Sequence, residues 1–391
     1  IDDESINFIV AKSWAENNTF KVPIKSNLKN NKKKDKIRLG YICGELRNHP
    51  TYHLIKNLFK NHNKEDFEIY IFSYNHENDI QNEIQKDVDQ FINIDETNDE
   101  DAIEKISGFN IDILIDLSII ITNNRQKIIS SRPAKKIISY LGYPGTSGYN
   151  FYDYIITDKI VTPENKQSYY SEKFLYLPGI YQVNSGIKYT KIKDILKSDY
   201  GLPDDSIVLS CFNQSFKIDK IIFKSWISIL KKLPATYLWI LEDNEVAKEN
   251  LIEYAELHDI SSDRLIFAPR IDRHSHLKRL ALADVALDTR IYNGHTTTTD
   301  ALQSSVPVVT IMGKHFASRV SSSLLSSIGL EELIAHNIQE YEEKIIKLCS
   351  EKIYLKKIKE KLSNNVYMKN LYDVKKFTHE FELSLKSILK N

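Results

Sequence analysis

The stretch Ile291–Gln303, IYNGHTTTTDALQ, places a histidine and four consecutive threonines just after an apolar run, Asp284–Thr289 (DVALDT). Five polar side chains in a row make a poor core segment. Thr297 and Asp300 have the T-x-x-D spacing of a capping box, so a helix is expected to begin there. Capping accounts for one threonine and the aspartate, and leaves His295 and Thr296, beside Gly294, unexplained. A helix N-terminus behind a small residue offers free N–H groups and the positive end of a dipole to an anion. Phosphate or diphosphate binding by His295, Thr296 and Thr297 is therefore the stronger reading, with simple capping as the alternative. Thr298 and Thr299 read as helix filler.

Four more segments carry polar residues just past apolar runs. In CFNQSFKID (Cys211–Asp219), Gln214 and Lys217 follow such a run, and a lysine there could set one point charge on a phosphate. An ordinary exposed lysine is the equal alternative. In APRIDRHSHLKR (Ala268–Arg279), Arg273, His276 and Arg279 fall at i, i+3 and i+6, one face at a helix start; a solvated charged face would look the same. In GELRNHPTYHL (Gly44–Leu54), His49 lies between Asn48 and Pro50, a loop position that makes it a candidate general base. YLGYPGTSG (Tyr140–Gly148) permits close backbone approach to a ligand, or is a tight turn. No Cys, His or acidic cluster has metal spacing, and neither GxGxxG nor GxxxxGK[ST] occurs, so no metal is expected and the dinucleotide and P-loop readings weaken.

The elements that must position these loops follow from the apolar runs. KIRLGYIC (36–43), FEIYIFSY (67–74), IDILIDLS (111–118), KKIISYLG (135–142) and YDYIITD (152–158) read as buried parallel strands separated by helical stretches. A second set, IVLSCF (207–212), TYLWIL (236–241), RLIFAP (264–269), DVALDT (284–289) and VPVVTI (306–311), repeats the pattern. The expected fold is α/β, two doubly wound domains in tandem joined near 180–200, followed by a helical tail in which Leu355, Ile358 and Leu362 share a face. Ligands of such sheets bind beyond the carboxyl ends of strands, which is where the candidate loops lie. The chain of 391 residues is long enough for two domains, and 42% hydrophobic residues suffice for both cores. Lys+Arg and Asp+Glu balance at 53 each, which argues against nucleic acid or an anionic membrane as partner, and KNNKKKDK (29–36) reads as a solvated linker. Three widely spaced cysteines suggest reduced thiols and a cytoplasmic location. No apolar stretch approaches membrane-spanning length. The first residue is Ile1, no signal peptide follows, and the chain is expected to be a piece of a longer protein.

These motifs, with YSEKFLYLP, ASRVSSSLL and GLEELIAHNIQEYEEKIIKL added, run collinearly from about Lys36 to about Ser384. Together they resemble the catalytic region of O-linked N-acetylglucosamine transferase, glycosyltransferase family 41, which includes the plant SPINDLY proteins. The resemblance implies a GT-B fold of two facing Rossmann-like domains. It also implies an inverting, metal-independent transfer from a UDP-sugar, UDP-N-acetylglucosamine above all, to Ser/Thr hydroxyls of a protein acceptor. It places Lys217 on the diphosphate with Gln214 nearby, and His295, Thr296 and Thr297 at the phosphate-binding helix start. Asp300 falls on the ribose, Arg273, His276 and Arg279 around the uracil, and His49 near sugar and acceptor as base or positioning group. By the same resemblance, 1–35 is a helical lead-in ending a missing tetratricopeptide region, 36–195 the acceptor domain, and 196–391 the UDP-sugar domain with the C-terminal helices. The large insert of animal enzymes is absent, which points to a bacterial-type enzyme. Homo-oligomerisation stays open.

Departures from the family pattern bear on specificity. Many bacterial relatives read DLSGHT where this chain reads DLSIIIT, and Ile119–Ile121 would stand at a strand end facing sugar and acceptor. Glu45 and Arg47 stand where an Asp and a Gly are usual, and Gln303 where a Trp is usual. The alternatives are therefore UDP-glucose or another hexose as donor, an Asn acceptor, or a sugar-nucleotide-binding module that does not transfer.

Overall fold

The computed structural model describes residues 1–20, 35–186 and 195–389. Most of the expected linker run and part of the expected domain join lie outside the described residues. Two compact units emerge, one built from 3–185 and 372–391, the other from 186–371.

In the first unit, seven strands form one sheet: β1 (Ile37–Cys43), β2 (Phe67–Ser73), β3 (Gln90–Asn93), β4 (Ile113–Asp116), β5 (Lys136–Ser139), β6 (Tyr154–Thr157) and β7 (Lys173–Tyr176). Their order is β3-β2-β1-β4-β5-β6-β7, and every pairing is parallel. The helices are α1 (Glu4–Asn17), α2 (Pro50–Phe59), α3 (Asn78–Ile84), α4 (Asp99–Gly108) and α5 (Gln126–Ser130). All four residues of β4 are buried, as a central strand flanked on both sides demands. The edge strand β3, QFIN, exposes Gln90 and Asn93, so its polarity hides it from an apolar-run reading.

In the second unit, β8 (Ile207–Cys211), β9 (Thr236–Leu241), β10 (Leu265–Ala268), β11 (Val285–Leu287), β12 (Val308–Ile311) and β13 (Ile334–Ala335) are ordered β10-β9-β8-β11-β12-β13, again all parallel. Its helices are α6 (Lys220–Lys232), α7 (Glu245–Glu256), α8 (Arg273–Leu280), α9 (Thr296–Gln303), α10 (Val320–Ser327), α11 (Ile338–Ser350), α12 (Lys352–Ser363) and α13 (Asn365–Tyr372). Strand order reverses between β1 and β4 in the first unit and between β8 and β11 in the second. A crevice opens at such a switch point, beyond the strand ends.

Two terminal helices pack differently from their sequence grouping. The last helix, α14 (Val374–Ser387), belongs to the first unit, not to the second with 196–371. Its buried Glu382 accepts from the Asn63 N–H at 2.8 Å and pairs with His62 Nδ1 at 2.9 Å, while His62 Nε2 meets the Tyr41 hydroxyl at 2.8 Å. The lead-in helix α1 also packs on the first unit, where Glu4 is buried and bonded to the Tyr170 hydroxyl. Gly148 has a φ of +77°, and a Cβ there would lie 2.3 Å from the Ala11 carbonyl oxygen, so the close approach of α1 requires a glycine.

Replacing Glu382 with Ala leaves a buried imidazole nitrogen and a main-chain N–H without partners. Urea denaturation of Glu382→Ala is expected to show a loss of about 1–3 kcal/mol in the transition of the first unit. An unchanged midpoint would mean that α14 is held by apolar packing alone.

Candidate functional site

The switch point of the second unit is built around Asp288, which follows β11 and is 2% exposed. Its carboxylate accepts the Gly294 N–H at 2.6 Å, the Thr289 N–H at 2.9 Å and the Thr310 hydroxyl at 2.7 Å. Burial raises its pKa, and these donors oppose the rise. Together they fold residues 289–294 back over the strand end. Asn213, just past β8, completes the join: its Nδ2 donates to Thr289 Oγ1 at 3.0 Å and its Oδ1 accepts from Thr297 Oγ1 at 2.6 Å. Neither residue stands out in the sequence, because a single Asp and a single Asn carry no spacing signal. The available cue is the carboxylate directly after the apolar Val285–Leu287. Beneath α9, a cavity of about 20 Å³ lined by Ser210, Asn213, Asp288, Thr297 and Thr298 has room for about one water.

The helix that follows starts one residue before the expected cap. Its N-cap residue is His295, whose side chain makes no capping bond, and the T-x-x-D pair is not a capping box. Thr297 bonds Asn213 instead, and Asp300 forms an ion pair with Arg273. The first-turn N–H groups of α9 thus have no side-chain cap, the condition under which a helix start receives an anion. Thr298 is no filler either: its hydroxyl donates to the Gly294 carbonyl at 2.8 Å and meets Ser321 Oγ at 2.8 Å. Thr299 Oγ1 donates to the Thr296 carbonyl at 2.9 Å. A Cβ on Gly294 would lie 2.4 Å from Thr297 Oγ1 and 2.6 Å from Thr298 Oγ1, so the turn into α9 has room only for glycine.

Cationic and donor groups gather at this helix start. The Lys217 ammonium donates to the Asn293 carbonyl at 3.0 Å and lies over the Tyr292 ring, 3.9 Å from its centroid. Burial lowers its pKa from 10.5 to about 8, against an opposing pull from Asp288. His295 Nε2 is buried without a partner, and the ring is hydrogen-bonded to the Ala317 main chain. Burial, and then the Lys217 charge, push the His295 pKa well below its ordinary value, so the imidazole is neutral. Gln214 is exposed, and its carbonyl accepts the Lys217 N–H at 3.0 Å.

The third loop is not a solvated charged face. Arg279 is 1% exposed, stacked on Phe212 at 4.8 Å, and its Nε donates to His276 Nδ1 at 3.1 Å. Arginine can only donate, so His276 Nδ1 accepts and the ring proton sits on Nε2. Burial, then Arg279 and Arg273, hold the His276 pKa down to about 3. Asp300 is raised to about 6 by burial, with Arg273 pulling it back.

His49 lies in the first unit, at the end of the β1 loop. It is the N-cap of α2, with Nδ1 accepting the Thr51 N–H at 3.3 Å and Pro50 in the first helical turn. Burial, then Arg47, lower its pKa to about 4. With Nδ1 occupied by a donor, a neutral His49 carries its proton on Nε2 and presents a donor rather than a base. Nearby, buried Glu45 accepts from Ser118 Oγ at 2.8 Å. Ile119 does not face a ligand as expected: it is 1% exposed, lies in the apolar core cluster, and Ile120 packs against that cluster. Its φ of +54° is unusual for a β-branched residue and is held by Asp116, which accepts the Ser118 and Ile119 N–H groups at 2.9 and 3.0 Å. The glycine-punctuated loop is a structural clasp, with Thr146 Oγ1 and the Ser147 N–H each donating to buried Glu172 at 2.7 Å. Among the described residues, no group of three or more His, Cys, Asp or Glu could hold a metal ion, and no helix is long and apolar enough to cross a membrane.

Two parallel sheets with reversed strand order, one carrying an uncapped helix start beside a half-buried lysine, are those of a GT-B glycosyltransferase fold. The chain belongs to glycosyl transferase family 41, whose sequence model matches residues 16–190 and 182–381. It is 34% identical over 359 residues to the "Probable UDP-N-acetylglucosamine--peptide N-acetylglucosaminyltransferase SEC" of Arabidopsis thaliana, covering 89% of this chain and 36% of that protein. It is 26% identical over 461 residues to the UDP-N-acetylglucosamine--peptide N-acetylglucosaminyltransferase of Caenorhabditis elegans, covering 89% of this chain and 40% of that one. The chain thus spans well under half the length of these relatives. The O-GlcNAc transferase of Thermobaculum terrenum, in the form of a lysine-to-methionine mutant, superposes with a TM-score of 0.87 at 26% identity, over 98% of this chain and 74% of the other.

Because burial depresses the Lys217 pKa, the unfolded chain holds more protons than the folded one between pH 8 and 10.5. Stability should therefore rise with pH across that window. Lys217→Met is expected to stabilise the second unit at pH 7 by roughly 1–3 kcal/mol, with the gain vanishing above pH 10.5. Denaturant melts of both proteins across that range check the sign.

Proposed function

We propose that the chain is the catalytic part of an inverting UDP-sugar-dependent protein glycosyltransferase, most simply moving N-acetylglucosamine to Ser/Thr hydroxyls. The observation that carries this reading is the convergence of the Lys217 ammonium, the unpartnered His295 Nε2 and the uncapped start of α9. The names of the relatives supply the donor and acceptor classes.

The chemistry follows from where charge develops. Breaking the bond from the anomeric carbon to the diphosphate puts negative charge on the leaving oxygen. Lys217 and the Thr296 and Thr297 N–H groups would stabilise it with full and partial positive charges already in place, and His295, whose other ring nitrogen donates to the Ala317 carbonyl, would donate through Nε2 as the imidazolium that an arriving phosphate favours. That set needs no metal. Asp300, oriented by Arg273, would accept from the ribose hydroxyls, and His276 would present Nε2–H toward a uracil carbonyl with Arg279 behind it. Gln214 stands at the rim of the phosphate site. The acceptor hydroxyl oxygen would attack the face opposite the diphosphate, its bond to the anomeric carbon forming as the bond to UDP breaks; the centre inverts and the hydroxyl proton passes to solvent or to the departing diphosphate. His49 would orient that hydroxyl as a donor, since its lowered pKa and occupied Nδ1 make it a weak base. The domain roles follow: residues 36–195 serve the acceptor and 196–371 the UDP-sugar. Three free, buried cysteines agree with a reducing, cytoplasmic setting.

Incubation with a panel of UDP-sugars, including UDP-GlcNAc and UDP-glucose, and with peptide acceptors should release UDP and add the mass of one N-acetylhexosamine, or of one hexose for the glucose alternative, to the peptide. Lys217→Ala should slow turnover about 10²–10³-fold, and EDTA should leave the wild-type rate intact. UDP binding without turnover on any donor would leave a binding module, and full activity in Lys217→Ala would reject the phosphate assignment.

A further inference from the structure

We propose that Tyr292 is a positioning residue for the diphosphate, its ring seating the Lys217 ammonium and flanking the His295 imidazole so that both ligands address one point. The inference deepens the donor-site reading and rests on it. Lys217 Nζ lies 3.9 Å from the Tyr292 centroid, whereas every other cation–ring distance among the described residues is 4.8 Å or longer. The same ring stands 5.3 Å from His295, tilted by 48°. Its backbone is tied to the strand-end network, since the Tyr292 carbonyl accepts Thr289 Oγ1 at 2.6 Å, and Thr289 Oγ1 in turn accepts from Asn213.

The choice of an aromatic ring has a physical reason. Lys217 is largely removed from water and faces three titratable groups: Asp288, the Cys211 thiol, which burial keeps protonated, and His295, which is neutral. Asp288 has its oxygens occupied by other donors, and the hydrogen bond from Lys217 goes to a neutral carbonyl. A carboxylate in direct contact would hold the ammonium more strongly, but it would also neutralise the charge and repel an arriving phosphate. A ring face attracts the cation through its quadrupole, carries no net charge, and need not move when the dianion binds.

The test compares wild type, Tyr292→Phe and Tyr292→Leu by NMR of lysine-labelled protein, with the Lys217 signal assigned by its loss in Lys217→Met. Tyr292→Leu should lower the Lys217 titration midpoint by about 0.5–1 pH unit, and Tyr292→Phe should restore it, because the ring rather than the hydroxyl supplies the attraction. Calorimetry with UDP should show Tyr292→Leu weakened several-fold at pH 7 and further at pH 9, with thermal melts confirming that each variant is folded. An unmoved midpoint in Tyr292→Leu, or equal loss in Tyr292→Phe, overturns the role of Tyr292 while leaving wild-type UDP binding in place. A wild type that binds no UDP overturns the donor-site reading itself, and the ligand named here with it.

Discussion

The second unit depends on one buried carboxylate. Asp288 gathers the N–H groups of Thr289 and Gly294 and the Thr310 hydroxyl onto two oxygens, and its own carbonyl accepts the Tyr341 hydroxyl at 3.1 Å. Tyr341 is in turn bonded by the Trp226 indole N–H at 3.1 Å, so the aromatic core of α6 and α11 is wired to the strand end. A buried carboxylate that lost these donors would be left with an uncompensated charge. The geometry of the loop before α9 is therefore fixed by the same residues that stabilise the core. The cost of burying Asp288 is offset by satisfying N–H groups that would otherwise compete for a ligand.

What faces the helix start is mostly of one polarity. The helix-start N–H groups and the Lys217 ammonium are donors or cations, and His295 Nε2 is free to take up a proton beside them. The carboxylates nearby are occupied, Asp288 by backbone and hydroxyl donors and Asp300 by Arg273. Holding His295 neutral beside Lys217 avoids like-charge repulsion until an anion arrives. The lowered pKa of Lys217 measures how far this site is desolvated, and a phosphate would reverse that effect by pairing with the ammonium.

Strand ends were the readable part of the sequence. Ten apolar runs marked strands of both sheets, and the polar residues following Cys211, Ala268 and Thr289 pointed to the crevice loops. The three strands missed were short or polar edges, β3 with exposed Gln90 and Asn93, β7 with exposed Lys173, and the two-residue β13, because an edge strand need not be apolar on both faces. The T-x-x-D spacing misled because Asp300 has a tertiary partner, Arg273, that lies 27 residues away in sequence. Thr298 resembled filler because its partner, Ser321, belongs to the next helix. Asn213 and Asp288 were invisible for the same reason: their meaning lies in contacts across 75 residues of sequence, not in a local pattern.

The two switch points use a similar device to opposite ends. Asp116 at the end of β4 and Asp288 just past β11 are both buried carboxylates that collect backbone N–H groups beyond a central strand. Asp116 takes those of Ser118 and Ile119, the residues of the turn itself, and Ile119 closes the turn by entering the core. The helix after that turn, α5, has only five residues and an N-cap, Arg125, that makes no capping bond, while α2 after β1 has its first turn capped by His49. Asp288 takes the N–H of Gly294, the last residue before the N-cap of α9, and leaves the N–H groups of the helix uncapped. The difference lies in which residues the carboxylate satisfies. That choice leaves the start of α9 in the second unit open to the anion that the proposed function requires.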